Sequence, residues 1–84
     1  MENKILVYVF VPRLEKRFEI FLPVSKTIGE TIILISKALL ELSNGHYIYQ
    51  NEEKIYNRKT GKEYNLNDII KDTEIRNGSE LIFI

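Results

Sequence analysis

The chain has 84 residues, enough for one domain with a single core but short of the depth that usually surrounds a catalytic pocket. Its 12 basic and 12 acidic side chains cancel, so no overall field favours nucleic acid or an anionic membrane. The absence of cysteine excludes disulfides and thiolate metal sites, and the first apolar run ends at Pro12, too soon to span a bilayer. We therefore expect one domain over residues 1–84, located in the cytoplasm and not inserted in a membrane.

A hairpin of two strands is predicted at the start of the chain. Residues 5–11 are all β-branched, aromatic or leucine, a composition that favours a strand. Pro12 cannot donate to a strand ladder and is followed by polar residues, which predicts a turn. Residues 17–22 then alternate, so that Phe18, Ile20 and Leu22 share the core face until Pro23 ends the strand.

One helix follows, and its start is the clearest local signal. Thr27 and Glu30 have capping-box spacing, in which each side chain bonds the backbone amide of the other, so the helix should begin at Ile28. Gly45, at the C′ position, should end a helix of about fifteen residues. Five apolar residues with helical spacing form a stripe that should face the sheet: Ile28, Ile32, Ile35, Leu39 and Leu42.

The second half of the chain carries shorter signals. Residues 46–50 alternate like a short strand, and residues 54–56 predict another. Residues 57–62 form a polar turn, residues 66–70 indicate a short helical turn, and residues 76–79 lead into a last strand over 80–84. On the helix, Ile33 and Leu40 lie off the core stripe. We expect them to extend the core under the loop after the third strand, with a lateral contact as the alternative.

This order of elements is that of the β-grasp fold. Residues 27–30, 66–69 and 75–82 resemble the corresponding motifs of the ubiquitin superfamily, and the resemblance covers nearly the whole chain. The length, the lack of a diglycine tail and the sequence of residues 46–48 resemble the small YukD-like (EsaB-like) proteins of bacterial type VII secretion. The resemblance implies an α+β, ubiquitin-like β-grasp fold with a mixed four- to five-stranded sheet and one helix packed on one face. It also implies a cytoplasmic role in type VII secretion.

We expect no enzymatic activity, no metal site and no cofactor. His46 is the only histidine, and it lacks the neighbouring ligands that zinc or a nucleophilic relay requires. Two pairs of carboxylates, Glu52 with Glu53 and Asp68 with Asp72, would each need one desolvated member to act as acid and base. Both pairs fall in polar segments, which we expect to be solvated.

A local basic cluster is interleaved with Tyr56 and Tyr64, a combination that in principle contacts phosphates and stacks on bases. It consists of Lys54, Arg58, Lys59 and Lys62. Three nearby glutamates dilute its charge, and the net charge of the chain is zero. We expect a solvated turn and no nucleic-acid partner.

The positive signal is a surplus of apolar residues on the sheet face that points away from the helix, a face that is commonly polar in such folds. If Val7 and Val9 face the helix, alternation turns the residues between and beside them outward, and the same holds along the last strand. The predicted protein-binding residues are Leu6, Tyr8, Phe10, Tyr49, Ile82 and Ile84, with Phe21 beside them. The first and last strands are neighbours in this fold, so the patch should be contiguous and mark an interaction surface. By resemblance, Tyr49 and Ile84 fall near positions through which the sheet face of ubiquitin is recognised.

We therefore predict a non-covalent protein-binding adaptor or regulator, with Tyr8, Phe10 and Ile84 as anchors. The alternative is a homo-oligomeric structural module that uses the same face, and pairing through the edge of the second strand is a further route to association. A carrier activated by adenylation is a third reading. The sequence ends at Ile84 without the flexible glycine-terminated tail that covalent transfer needs, so we expect no conjugation.

Overall fold

The structure, a computed structural model, describes residues 3–84. The elements in chain order are β1 (Lys4–Val11), β2 (Lys16–Pro23), α1 (Ile28–Leu42), β3 (Ile55–Asn57) and β4 (Glu80–Phe83), with 3-10 turns at Pro12–Leu14 and Ile70–Asp72. The four strands form one mixed sheet in the order β2-β1-β4-β3, in which β1 and β4 are parallel and the other two pairs are antiparallel. The predicted α+β architecture of one helix on a mixed sheet is confirmed.

The hairpin of β1 and β2 sets the orientation of every side chain on the sheet. Its register runs without interruption from Lys4 opposite Pro23 to Val11 opposite Lys16. The 3-10 turn between the strands ends at Glu15, whose φ of 54° places it in the left-handed region. Val7 and Val9 are completely buried, so the predicted parity of β1 is correct.

Helix α1 begins where the sequence predicts, but its C-terminal cap differs by one residue. The capping box is complete, because the Glu30 amide donates to Thr27 Oγ1 (3.1 Å) and the Thr27 amide donates to Glu30 Oε1 (3.0 Å). At the other end the left-handed C′ residue is Asn44, with a φ of 55°, and Gly45 follows it. The Gly45 amide donates to the carbonyl of Leu40 at 2.8 Å, as in a Schellman motif.

The core stripe of α1 is one residue shorter than predicted. Ile28, Ile32, Ile35 and Leu39 are buried, whereas Leu42 is exposed. Leu42 is the last helical residue and lies at the margin of the stripe, one turn beyond the part that packs on the sheet. The remaining core comes mainly from the strands and from residues of the second half of the chain, among them Tyr64, Ile70 and Ile75.

The predicted strand over residues 46–50 is wrong, and the one predicted at 54–56 is confirmed as β3, one residue later. Residues 46–50 have no ladder partner in the described part of the chain and are held by side chains instead. The Tyr47 amide donates to Ser43 Oγ (2.8 Å), and the Gln50 amide donates to Glu53 Oε2 (2.8 Å). Tyr47 is the one buried residue of this segment, so the alternation in the sequence does not produce alternate burial.

The segment 65–69 satisfies the N-terminus of α1. The carbonyl of Asp68 accepts from the Ile28 amide at 2.8 Å, and the carbonyl of Leu66 accepts from the Gly29 amide at 3.0 Å. A Cβ at position 29 would lie 3.4 Å from that Leu66 oxygen, which is an ordinary van der Waals contact, so this approach does not itself require glycine. The helical turn predicted over 66–70 forms later, as the 3-10 turn at Ile70–Asp72.

Candidate protein-binding surface

The sheet face that points away from α1, here called the outer sheet face, carries the predicted residues of β1 and β4 together. Phe10 is the register partner of Ile82 across the parallel β1–β4 pair, and Leu6 is the partner of Phe21 across the hairpin. The outer sheet face comprises Leu6, Tyr8, Phe10, Phe21, Ile82 and Ile84. Phe21 is 65% exposed and Ile84 is 53% exposed, while the other four are half-buried.

Two arginines cover part of this face, which the sequence analysis missed. The Arg17 guanidinium carbon lies 4.8 Å from the centre of the Tyr8 ring, and that of Arg58 lies 4.1 Å from the centre of the Phe10 ring. Both distances are those of cation–π contacts. Arg58 also pairs with Glu80 at 3.3 Å, whereas Arg17 makes no ion pair within residues 3–84.

These arginines border a groove at the turn end of the hairpin. The groove has a volume of about 480 Å³, and its apolar floor includes Phe10, Pro12 and Ile82. Its charged lining consists of three cations, Lys16, Arg17 and Arg58, and one acid, Glu15. The alternation of β2 places Arg17 on the outer side and is a signal from which it could be predicted. Arg58 comes from the turn after β3, for which no sequence pattern predicts the direction.

Ile84 continues the outward side of β4 beyond its last ladder residue. Its backbone pairs with Lys54, with the Lys54 amide donating to the Ile84 carbonyl (2.6 Å) and the Ile84 amide donating to the Lys54 carbonyl (3.1 Å). Because Phe83 is buried and the strand alternates, the exposed Ile84 side chain lies on the same side as Ile82. The structure therefore brings five of the six predicted binding residues to one face.

Tyr49 is the exception, and its predicted place on the outer sheet face is wrong. Its side chain lines a groove beside α1, together with Ile33, Leu40 and Ile48. The prediction assumed that residues 46–50 form a strand of the sheet, and the irregular path of this segment takes Tyr49 to the helix side. Ile33 and Leu40, expected to extend the core, are exposed in the same groove.

The groups weighed for catalysis have structural partners. His46 is exposed, with Nδ1 2.7 Å from the Ser43 carbonyl oxygen, so that this nitrogen carries the donated proton. Glu53, expected in a solvated segment, is only 7% exposed and accepts hydrogen bonds from the Tyr47 hydroxyl and two backbone amides. Burial alone would raise the pKa of Glu53, but these hydrogen bonds outweigh it and the pKa lies below its ordinary value. A general acid needs the opposite shift.

Three of the four cations of the basic cluster around β3 form ion pairs. Lys54 pairs with Glu63 (3.5 Å), Arg58 with Glu80 (3.3 Å) and Lys62 with Glu74 (3.7 Å). Within residues 3–84 no group of three His, Cys, Asp or Glu side chains is placed to hold a metal ion. The same part of the chain contains no helix with the length and apolarity needed to cross a membrane.

Comparisons with known proteins give the fold and no closer relative. No family model matches the chain, and no curated protein matches it. Among solved structures, the N-terminal ubiquitin-like domain in the 4931431F19Rik protein is similar with a TM-score of 0.78 and 23% identity, covering 100% of this chain and 76% of that one. The ubiquitin-like domain of the Arabidopsis thaliana protein At2g32350 gives a TM-score of 0.67 and 17% identity, covering 98% of this chain and 77% of that one.

A third similar structure is a chain of the MycP5-free ESX-5 inner membrane complex. Its TM-score is 0.70 at 10% identity, and the match covers 96% of this chain but 20% of that one. At such identities the likeness is one of fold. The chain has a ubiquitin-like fold, as the sequence predicted.

Proposed function

We propose that this protein is a non-covalent protein-binding adaptor or regulator rather than an enzyme, and that its outer sheet face docks on a partner protein. The observation that carries the proposal is the row of apolar and aromatic side chains along β1 on that face, extended by Phe21 and Ile82 across the neighbouring strands although Glu19 and Glu80 lie opposite Tyr8, and two of these side chains stack under arginines. Exposed Phe21 and Ile84 lie at its margins. Aromatic residues and arginine are the types enriched where protein interfaces concentrate their binding energy.

The partner segment on this face is apolar and acidic. Arg58 already pairs with Glu80, but Lys16 and Arg17 still outnumber the single acid that lines the groove, so a carboxylate beside an apolar side chain complements it. Arg17 is available for such a contact, since no acid within residues 3–84 pairs with it. Bidentate pairing with a carboxylate would orient the partner while Phe10 and Ile82 receive its apolar side chain.

The biological setting we propose is a cytoplasmic role in bacterial type VII secretion. Its support is the resemblance of the sequence to YukD-like proteins, together with the similarity in fold to one chain of an inner membrane complex. In this proposal the partner is a protein component of the secretion machinery. Cross-linking in producing cells, followed by identification of the captured proteins, tests the setting separately from the surface.

The surface is tested by a double variant, Ile84→Asp with Arg17→Glu. Both side chains are exposed, so we expect the thermal midpoint to stay within a few degrees while capture of the cellular partner falls at least about tenfold. Glu41→Gln, on the exposed side of α1, is the matched control and should capture as the wild type does. Undiminished capture by the double variant would refute docking through the outer sheet face, and a complex that survives boiling in detergent would refute a non-covalent mode.

The alternative of a homo-oligomer that uses the same face makes a different prediction. Light scattering across a wide concentration range should then show a dimer that Ile84→Asp returns to one chain. A monomer at all concentrations would leave the face free for a different protein.

A further inference from the structure

A second groove lies on the helix side of the sheet, away from the outer sheet face. It has a volume of about 320 Å³ and is lined by Ile33, Lys37 and Leu40 of α1 and by Tyr47, Ile48 and Tyr49 of the segment after it. Ile48 is 66% exposed and Leu40 is 50% exposed. We call it the helix groove. Ile33, Leu40 and Ile48 are exposed and do not belong to the core cluster, whereas Tyr47 is buried in it.

The far wall of the helix groove is fixed by polar contacts rather than by a sheet. The buried carboxylate of Glu53 accepts from the Tyr47 hydroxyl at 2.5 Å and from the Gln50 amide at 2.8 Å. From the other side, Arg13 Nη1 donates to the Ile48 carbonyl at 3.2 Å. These bonds hold the backbone of Ile48 and Tyr49 in one conformation, with both side chains exposed. Little conformational entropy should therefore be lost when a ligand contacts them.

The same contacts decide which kind of segment the helix groove accepts. A bound strand needs free amides and carbonyls along the wall, but the Tyr47 amide, the Ile48 carbonyl and the Gln50 amide are already engaged. Side chains must then provide the recognition. Ile33 and Leu40 lie seven residues apart, about 10 Å along the helix axis, which matches two turns of a second helix.

The charge of the helix groove sets a further requirement for its ligand. Lys37 is the one ionisable side chain of the helix groove that is charged at neutral pH, and it lies one turn from both Ile33 and Leu40. It makes no ion pair within residues 3–84. We propose that the helix groove is a second protein-binding site, which takes an amphipathic helix of a partner protein with aliphatic side chains on one face and a carboxylate placed to reach Lys37. This site does not depend on the outer sheet face, and two such sites would allow the protein to bridge two partners.

The test uses a displayed library of peptides of about 16 residues, in a helical framework with one face randomised, selected against the whole protein. We expect enrichment of aliphatic residues at helical spacing together with Asp or Glu. A selected peptide should lose at least about tenfold in affinity to Ile48→Ser and to Lys37→Glu. Exchanging the acid of the peptide for lysine should restore its binding to Lys37→Glu, which a merely structural role of Lys37 would not explain.

Two control variants separate this site from other effects. Leu34→Ser changes an exposed leucine of α1 outside the helix groove, and Arg17→Glu changes the outer sheet face, so both should bind the peptide within about twofold of the wild type. Circular dichroism establishes that each variant is folded. If Arg17→Glu loses capture of the cellular partner but still binds the peptide, the result bears on the proposed function of the outer sheet face and not on the helix groove.

Three outcomes of the peptide selection would overturn the proposal. They are a library that enriches no peptide, selected peptides that bind Ile48→Ser as tightly as the wild type, and selected peptides without an acidic residue. A solution mass of two chains that returns to one in Ile48→Ser would also overturn it, since a second copy would then occupy the helix groove.

Discussion

Residues 3–84 contain two contacts between a buried tyrosine and a glutamate, and the same pair of residue types has different surroundings in each. The Tyr47 hydroxyl lies 2.5 Å from Glu53 Oε2, and the Tyr64 hydroxyl lies 2.7 Å from Glu74 Oε2. Glu53 is itself buried and takes two further bonds from backbone amides. The Glu74 side chain is 52% exposed, and its other contacts are the side chains of Asn57 and Lys62.

The comparison shows two roles of a carboxylate. Glu53 binds backbone amides and so fixes the path of the chain, whereas Glu74 contacts side chains only. Burial, followed by the bond to glutamate, raises the pKa of both tyrosines, to about 12 for Tyr64 and further for Tyr47. The hydrogen bond from Tyr64 is the main cause of the lowered pKa of Glu74. Loss of Glu53 would release the wall of the helix groove, whereas loss of Glu74 would release a surface turn.

The largest effect should come from Glu53→Ala. This change leaves the Tyr47 hydroxyl and two amides without their acceptor, which we expect to lower the free energy of unfolding by about 3 kcal/mol. Urea denaturation measures it. Glu52→Ala removes the exposed neighbouring carboxylate and should stay within about 0.5 kcal/mol of the wild type. Equal effects of the two variants would mean that the hydrogen bonds of buried Glu53 do not contribute to the free energy of unfolding.

A pair of Tyr→Phe variants compares the two contacts directly. Tyr47→Phe keeps the ring, which packs 5.9 Å from that of Phe83, and removes one donor from a buried carboxylate. We expect a loss of about 1.5 kcal/mol, against about 0.5 kcal/mol for Tyr64→Phe, because water can replace the lost donor at exposed Glu74. Thermal unfolding of both variants under one condition gives the difference. A reversed order would contradict our distinction between the two sites.

Both glutamates should contribute to the dependence of stability on pH. The pKa values of Glu53 and Glu74 are lowered from 4.5 in the folded state, so their contributions are present above that value and are lost as the pH falls through the folded pKa. Denaturation midpoints measured from pH 6 downward should therefore decline, and Glu53→Gln and Glu74→Gln should each flatten the decline. An NMR titration that places the pKa of Glu53 above 4.5 would show that burial outweighs its hydrogen bonds.

Local signals account for what the sequence predicts correctly. The parity of β1 and the start of α1 depend on neighbours within four residues, and both agree with the structure. The outward position of Arg17 belongs to the same class, since it follows from the alternation of β2. The residues of the outer sheet face were predictable for this reason. Tyr49, from the irregular segment 46–50, was wrongly assigned to that face.

The features that the sequence does not predict depend on contacts that leave no periodic pattern in the sequence. Residues 46–50 alternate as a strand does, but the buried acceptor that replaces their ladder is Glu53, which composition alone places in solvent. The segment that carries Tyr49 into the helix groove is held by this contact together with the bond from Arg13 to the Ile48 carbonyl. The stacking of Arg58 on Phe10 similarly depends on the path of a turn after β3.

The smallest effect should come from Lys62→Ala. This change removes the ion pair with Glu74 and leaves the hydrogen bond between Tyr64 and Glu74 intact. The Lys62 Nζ and Glu74 Oε1 atoms are 3.7 Å apart, and more than half of each side chain is exposed, so water and salt screen the attraction. Lys62 Nζ also lies 5.5 Å from the centre of the Tyr64 ring, a contact of similarly modest strength at an exposed site. We expect a change in unfolding free energy below about 0.5 kcal/mol, which vanishes in 1 M salt. A loss as large as that of Tyr64→Phe would show that Lys62, rather than the tyrosine hydroxyl, positions Glu74, and the two glutamates would then differ in their main partner as well as in their burial.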